Sequence, residues 1–364
     1  MTAKPLSYEP PCGATRGLWV AAACGGLALL AACAPAATQD PHALRTLAMQ
    51  YMTAAVTFQD NPVIRAQAIE GLQRTEGEKA VTWFREAIND EHPGVRFAAC
   101  IALGTIRHEP SETLLRVCLA DPDANVRVAA MFALRRLGDP GFVDEFGQIV
   151  RAHPDARVRR NAVLVLGRLE EPGAIALLRR AYEDDDESVR LQALESMALL
   201  GDKRAVEQIL FYAGGGFGDR QAFALITLGR AHNTRAVDTL RYALEKAPYL
   251  ESKLAAARAL GEMGYNDGYK LALQSVEWNE PAQNLPDDPP ENQIMRIRTQ
   301  AAFALGAIGE PGALTALRKQ METPGDPRVQ LAAAAAILDI TQRRDTDSLT
   351  PLVPVTAQST AARP

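Results

Sequence analysis

A short motif that ends in Val-Arg or Ile-Arg returns about every 31 residues, and this period limits the possible folds more than any other feature of the chain. The five clearest copies end at Arg65, Arg96, Arg127, Arg159 and Arg190. The same register continues, with one longer interval, through Gln221, Lys253, Arg298 and Gln330. A period of about 20–50 residues indicates units that bury their apolar faces by stacking on their neighbours. The 364 residues are therefore predicted to form one array of about nine units, not two or three separate domains.

Each unit has the sequence pattern of two helices joined by a turn. In the third unit, Val126, Ala129, Ala133 and Leu137 recur at helical spacing and form one apolar stripe. The helix that carries this stripe begins with a residue able to cap free backbone N–H groups, and these capping residues are Asn61, Asp123, Asp155, Asp186 and Asp326. Proline is the first helical residue in three units, and glycine ends several helices. The pattern predicts an all-α fold.

The motif resembles the HEAT-like repeat, in the short form that also occurs in the bilin lyases of the phycobilisome. The likeness rests on a Leu-Gly-acid-Pro string that ends one unit and an Asp-x-x-Val-Arg-x-x-Ala string in the next, and it is clearest at 103–139, 166–201 and 305–341. It covers residues 59–341, or 41–341 if Pro41–Gln59 forms the first outer helix. The resemblance implies a right-handed α-solenoid of the armadillo and HEAT type, with about nine helix-turn-helix repeats.

The aspartate and arginine that recur together are interpreted as structural. When units stack, the arginine can reach the capping aspartate of an adjacent unit, or carbonyl groups at a helix end. Both arrangements give a ladder that fixes the register between repeats. The residues assigned to this ladder are Asp123, Arg127, Asp155, Arg159, Asp186, Arg190, Arg65 and Arg96.

Composition argues against nucleic acid, metal and cofactor chemistry. The net charge of −5 does not suit a nonspecific nucleic-acid binder, which displaces counterions with an excess of basic residues. The HEAT-like family includes an iron-dependent hydroxylase whose metal is held by His-Glu dipeptides in several repeats, and only His108-Glu109 matches here. We therefore assign no catalytic residue, no cofactor, no metal ligand and no small-molecule substrate.

Residues 1–32 are predicted to be a lipoprotein signal peptide. The apolar run from Leu18 to Leu30 is shorter than the roughly 20 residues that span a bilayer. Leu30-Ala31-Ala32-Cys33 resembles the lipobox of bacterial lipoproteins, which implies that Cys33 is acylated and begins the mature chain. Residues 33–40 are predicted to be a flexible tether. Because no aspartate directly follows Cys33, the expected location is the periplasmic face of the outer membrane, if the host is Gram-negative.

Two further segments and one cysteine pair are singled out. Residues 279–292 hold four prolines and four acids, and are predicted to form an extended loop in the eighth unit that either contacts a ligand or is simply solvated. Residues 342–364 are predicted to be a disordered tail. Cys100 and Cys118 fall at a similar level on two helices, and the sequence leaves open whether they are packed thiols or a disulfide.

These features favour a non-catalytic protein-interaction scaffold that is anchored by lipid at the bacterial cell envelope. Its partners are the bilayer and one or more unidentified proteins. The candidate partner surface consists of Arg157, Arg160, Arg179, Arg180, Trp278 and Leu285. Two alternatives remain. One is an enzyme or chaperone-type lyase subunit of the bilin-lyase kind, and the other is a cytoplasmic HEAT-repeat adaptor if the N-terminus is not a signal.

Overall fold

The computed structural model describes residues 40–215, 218–281 and 288–349. Within these ranges the chain forms eighteen α-helices and no β-strand. Alternate helices form an outer layer: α1 (Pro41–Val56), α3 (Val81–Ala87), α5 (Glu112–Cys118), α7 (Val143–Ala152), α9 (Ile175–Ala181), α11 (Lys203–Gly214), α13 (Val237–Lys246), α15 (Tyr269–Ser275) and α17 (Leu314–Glu322). The others form an inner layer: α2 (Pro62–Thr75), α4 (Pro93–Thr105), α6 (Ala124–Arg136), α8 (Ala156–Arg168), α10 (Glu187–Leu199), α12 (Gly218–Arg230), α14 (Leu250–Glu262), α16 (Pro290–Ile308) and α18 (Pro327–Leu349). The predicted all-α solenoid of nine helix pairs is confirmed.

The ends of the inner helices follow the local chemistry of the sequence. Asp123, for example, accepts hydrogen bonds from the backbone N–H groups of Asn125 and Val126, which have no partner within the helix. Pro62, Pro93 and Pro327 are each the first residue of an inner helix. Several helices end at a glycine with positive φ, such as Gly138 (φ 102°), because only glycine enters this left-handed conformation without strain.

The two ends of the array meet. The last inner helix, α18, packs against both α1 and α2. Across this contact, Arg45 Nη1 lies 3.3 Å from Thr341 Oγ1, and Arg74 Nη2 lies 3.0 Å from Asp339 Oδ2. The first and ninth repeats are therefore neighbours, and the solenoid closes into a ring with a rotation of about 40° per repeat.

Close packing of the inner helices explains the strong curvature. In five inner helices a glycine stands eight residues after the position at which the repeated motif ends, which is usually an arginine. These glycines are Gly104, Gly167, Gly229, Gly261 and Gly306. A Cβ atom on Gly104 would lie 2.5 Å from the Cα atom of Ala133 on the next inner helix. The five helix pairs joined by such a glycine are the most closely packed of the nine, and α10, which has Ala198 at this position, packs most loosely on its successor α12. Because the inner layer is drawn together more than the outer one, each repeat turns toward the next.

Two predicted boundaries are wrong in detail. The disordered tail was expected from residue 342, but α18 continues to Leu349. Residues 342–349 contain no proline or glycine, so nothing in this stretch breaks the helix before Pro351. The extended loop was expected to include Pro290 and Asn292, but α16 already begins at Pro290, which is a favourable first residue of a helix. Residues 282–287, and with them Leu285, lie outside the described residues, as do Cys33 and the whole N-terminal segment.

Replacing Gly229 by alanine should destabilise the fold. Its new Cβ would lie 2.5 Å from the Cα atom of Ala259, so α12 and α14 must move apart. We expect the free energy of unfolding to fall by about 1–3 kcal/mol in urea denaturation. Gly173→Ala is the control, since nothing lies within 4 Å of its Cβ position, and equal losses for both variants would contradict the close-packing argument.

Ring closure can be tested with two spin labels. Ala43 on α1 and Gln342 on α18 are exposed, so both accept a label after mutation to cysteine in a chain whose native cysteines are replaced. Adjacent helices lie about 8–10 Å apart, so the label separation should be roughly 20–30 Å by pulsed electron resonance. An open array of nine repeats would hold the labels more than about 60 Å apart, and that result would exclude the ring.

Candidate functional site

The recurring arginines lie at one edge of the ring, and three of them, Arg65, Arg96 and Arg159, join successive repeats. Arg127 and Arg190 were also assigned to this ladder, but among the described residues they contact only carbonyls of their own repeat. Arg96 binds Asp121 of the next repeat with two parallel hydrogen bonds, Nε to Oδ2 at 2.8 Å and Nη2 to Oδ1 at 2.9 Å. The same two-point contact links Arg65 to Asp90 and Arg159 to Asp184. In each pair the aspartate stands 25 residues after the arginine. These contacts form a ladder between repeats, because a planar guanidinium matches a carboxylate in only one orientation.

The same arginines also hold the turn of their own repeat. The Nη1 group of Arg127 donates to the carbonyl oxygens of Asp121 and Pro122, at 2.7 and 3.1 Å. Arg190 makes the equivalent contacts with Asp184 and Asp185. Each ladder arginine thus satisfies carbonyl groups that would otherwise lack partners near a helix end.

The acidic partner of the ladder differs from the predicted one. Asp123, Asp155 and Asp186 were assigned as ladder acids, but their carboxylates accept backbone N–H groups at the starts of α6, α8 and α10. The ladder acid lies two residues earlier in the turn. Asp121, for instance, binds Arg96 and also accepts the backbone N–H of Asp123 at 2.9 Å. The capping role therefore occupies the aspartate that sequence reasoning had paired with arginine.

These contacts change the acidity of the ladder carboxylates. Burial acts to raise the pKa of Asp121, but the hydrogen bonds from Arg96 and from the Asp123 N–H outweigh it and hold the pKa below its ordinary value of 3.8. Asp90 behaves in the same way with Arg65. The Arg159 guanidinium lowers the pKa of Asp184. The ladder is therefore fully charged at neutral pH.

The inner face of the ring carries a second group of charged residues. Arg168 on α8 lies within electrostatic reach of Glu70 on α2, on another part of the ring wall. Enclosure within the ring raises the pKa of Glu70, against the opposing charges of Arg168 and Arg74. Burial and the nearby charge of Arg230 lower the pKa of Arg168. The inner face therefore combines both signs of charge in a confined space.

The structure separates the residues of the predicted partner surface. Arg157 pairs with Asp155 of its own helix cap, at 3.3 Å, and Arg160 is exposed on the same helix, α8. Arg179 and Arg180 lie on α9 and pair with Asp202 (2.7 Å) and Glu183 (3.2 Å). Trp278 follows α15 and packs partly against the core, while its indole N–H donates to the carbonyl of Glu280. The arginines and Trp278 thus belong to different repeats, and the structure does not describe the position of Leu285.

Sequence reasoning missed three exposed aromatic side chains of the outer layer. Phe211 on α11 is 69% exposed and Tyr242 on α13 is 63% exposed. Tyr182, directly after α9, is also exposed. The salt bridge from Arg179 to Asp202 shows that α9 lies beside the start of α11, and α11 packs on α13. The sequence does contain a signal for this exposure, because Phe211 and Tyr242 do not lie on the apolar stripes of their helices.

In the described part of the chain, the remaining candidate residues do not form a metal-binding site. His108 Nδ1 contacts the hydroxyl of Ser111 at 2.8 Å, so this histidine stabilises its own turn. The described residues contain no group of three side chains able to hold a metal ion. Cys100 and Cys118 are both free and buried, and interaction with Cys118 together with burial raises the pKa of the Cys100 thiol. Among the described helices, none has the length and apolar character that crossing a bilayer requires.

Comparison with known families identifies the repeat. Residues 51–135 and 143–210 match the model of HEAT repeats, and residues 297–323 match the PBS lyase HEAT-like repeat. These segments of the chain are similar to HEAT repeats. No curated protein matches the sequence.

Three solved structures illustrate the likeness of this chain to known folds. Human deoxyhypusine hydroxylase in complex with glycerol is 18% identical, with a TM-score of 0.37, over 83% of this chain and 98% of that one. The complex of CpcE and CpcF of phycocyanin lyase from Nostoc sp. is 22% identical, with a TM-score of 0.40, over 66% and 94%. YibA of E. coli is 17% identical, with a TM-score of 0.32, over 76% and 99%. At these values, no activity carries over from them.

Replacing Asp121 by asparagine should weaken the fold in a pH-dependent way. The variant loses the charged contact with Arg96, so at pH 7 its free energy of unfolding should fall by about 2–3 kcal/mol. Because the folded pKa of Asp121 lies below 3.8, the wild type has this stabilisation above that pH and loses it as the pH falls through the folded pKa. Urea denaturation at pH 7, 4 and 3 should show the two proteins converging.

Asp123→Asn is the matched control for this experiment. Asparagine caps a helix about as well as aspartate, so this variant should lose less than about 0.5 kcal/mol at pH 7. If Asp123→Asn costs as much as Asp121→Asn, the assignment of the ladder acid is wrong.

Proposed function

We propose that this protein is a non-catalytic protein-interaction scaffold that is held by a lipid on Cys33 at the bacterial cell envelope. The HEAT repeats supply the coarse part of this proposal, since stacked helical repeats form extended surfaces on which other proteins dock. The lipid anchor and the envelope location rest on the string Leu30-Ala31-Ala32-Cys33 and the apolar run before it.

The observation that carries the scaffold proposal is the presence of three exposed aromatic side chains in neighbouring parts of the outer layer. We call Tyr182, Phe211 and Tyr242, together with Arg179 and Arg180, the outer patch. Large apolar side chains that scatter singly over a surface need no explanation, but these three stand on or directly after three consecutive outer helices. Aromatic residues and arginine are also the residue types that contribute most to protein interfaces. The outer patch therefore has the composition of a docking surface.

The arginines of the outer patch suit this role. Arg179 and Arg180 are each about two-thirds exposed although each has an acidic neighbour. Exposed ion pairs contribute little to stability, so Arg180 can exchange Glu183 for another partner at small cost, whereas Arg179 is held by the buried Asp202. A partner with an acidic rim around an apolar centre would match the patch. Phe211 and Tyr242 would then lie near the centre of the interface.

Crosslinking in isolated envelopes tests the proposal in one experiment. We expect the wild-type protein to crosslink to a defined partner, and the double variant Phe211→Ser/Tyr242→Ser to lose at least nine-tenths of that product. Val117→Ser is the matched control, since Val117 is 69% exposed on α5, outside the outer patch. Equal crosslinking in all three proteins would reject the patch. Co-purification of a tightly bound chromophore would favour the lyase-type alternative instead.

The same preparation tests the anchor. Replacing Cys33 by serine removes the thiol that carries the lipid, so the variant should be released from washed membranes or keep its uncleaved N-terminus. A variant of mature size that stays membrane-bound as fully as the wild type would contradict lipidation at Cys33. The two predictions are independent, because the outer patch lies on folded repeats and Cys33 precedes them.

A further inference from the structure

The ladder lacks its acid at the junction between the eighth and ninth repeats. Arg298 occupies the ladder register on α16, but the residue 25 positions later is Thr323, where Arg65, Arg96 and Arg159 find an aspartate. Its Nε group donates to the backbone carbonyl of Trp278 at 2.5 Å. In the described part of the chain, the two Nη groups of Arg298 have no partner. The side of this half-buried guanidinium that carries the two Nη groups therefore makes no hydrogen bond to the described residues.

A cavity lies beside the two Nη groups of Arg298. Its volume is about 540 Å³, whereas the cavities beside Arg65 and Arg159, where the ladder acid is present, have volumes of about 320 and 350 Å³. Arg298 lines this cavity, and Val276, Ile294, Met295 and Val329 contribute apolar side chains to its wall. A second cation, Lys319, and three acids, Glu277, Glu291 and Asp326, also line it.

The acids around this cavity do not neutralise Arg298. Two of them are already paired, Glu277 with Lys319 and Asp326 with Arg328, each at 2.6 Å. Glu291 stands seven residues before Arg298 on α16, which is about 10 Å along the helix axis, and it is exposed to water. Lys319 is paired with Glu277, so Arg298 is the lining cation that has no ion-pair partner among the described residues.

We propose that this cavity binds an acidic, partly apolar peptide segment of a partner protein, with a carboxylate of the peptide on the Nη1 and Nη2 groups of Arg298. The proposal rests on the scaffold function and names the chemistry of one contact. Three of the six arginines in this register bind an aspartate in a short turn of the next repeat, whereas Arg127 and Arg190 contact only backbone carbonyls. A peptide carboxylate would supply at Arg298 the acid that position 323 lacks.

The apolar side chains of the cavity wall determine which peptide residues can stand beside the bound carboxylate. In the ladder turn that Arg96 recognises, the acid Asp121 follows Leu119 and Ala120. A partner segment with the same order would place small or branched apolar side chains against Met295 and Val329 while its carboxylate faces Arg298. Burial of that apolar surface adds to the charged contact, so acid and apolar residue together define the segment.

Binding of two blocked synthetic peptides to the purified full-length chain tests the proposal. The first copies residues 119–125 of this sequence, Leu-Ala-Asp-Pro-Asp-Ala-Asn, and the second has asparagine in place of both aspartates. Fluorescence anisotropy of labelled peptides should show at least about tenfold tighter binding of the acidic peptide, which is the usual effect of a charged two-point hydrogen bond. Equal affinities for the two peptides would overturn the proposal.

Three variants tie the difference to the proposed contact. Arg298→Gln should abolish the preference for the acidic peptide, and Arg298→Lys should reduce it, because lysine keeps the charge but not the planar edge. Arg85→Gln, at an exposed arginine on α3 outside the cavity, should leave the preference unchanged. Thermal unfolding of each variant establishes that it is folded. A folded Arg298→Gln protein that retains the tenfold preference would overturn the proposal.

The test also distinguishes other occupants and other failures. If the wild type does not discriminate between the peptides but a chain without residues 282–287 does, the cavity is filled by the chain's own insertion, and the proposal is wrong. Loss of crosslinking at the outer patch leaves this measurement unaffected, because it needs neither a membrane nor an envelope partner. A failed scaffold and a failed Arg298 contact therefore give different results.

Discussion

The ring depends on backbone contact between neighbouring inner helices. Glycine at one position of an inner helix, facing a small residue on the next, lets two helix axes approach more closely than side chains would otherwise permit. The outer helices have no such contact, so each glycine tilts one repeat toward its neighbour. Five such steps around nine junctions bring α18 against α1 and α2. The abundance of alanine and the scarcity of aromatic residues follow from the same requirement, because bulky side chains in the inner layer would open the curve.

The ladder fixes the offset between repeats, which close packing of the inner helices does not. Close packing of small residues is permissive, since helices with flat faces can slide along each other. The two-point contacts of Arg65, Arg96 and Arg159 fix the offset between successive repeats at one edge of the ring. Beside Arg298, which has no ladder acid, the wall contains a cavity larger than those beside Arg65 and Arg159. The positions at which a structural pattern is incomplete are thus the places where the ring can offer unsatisfied groups to another molecule.

Much of the fold could be predicted from the sequence because its determinants are local. Period, apolar stripe and capping residues all lie within one repeat, and Pro62 and Asp123 occupy the predicted places. The closed ring could not be predicted in this way, since closure depends on the sum of nine small rotations. The glycine at Gly229 was visible, but only the structure shows that Ala259 lies directly against it. The ladder acid was missed for a related reason: Asp121 and Asp123 are both present in the turn, and geometry alone decides which one faces the arginine.

Closure of the ring has a consequence for how the protein can change in evolution and how it loses structure. An open repeat array can gain or lose a unit, and its terminal units fray because each has only one neighbour. In this ring every repeat has two neighbours, so unfolding has no free end from which to start and must first break a junction. The loosely packed junction of α10 and α12 is the natural place for that break. A chain with eight or ten such repeats would not meet its own beginning at the same angle, so the number nine is itself fixed by the closure.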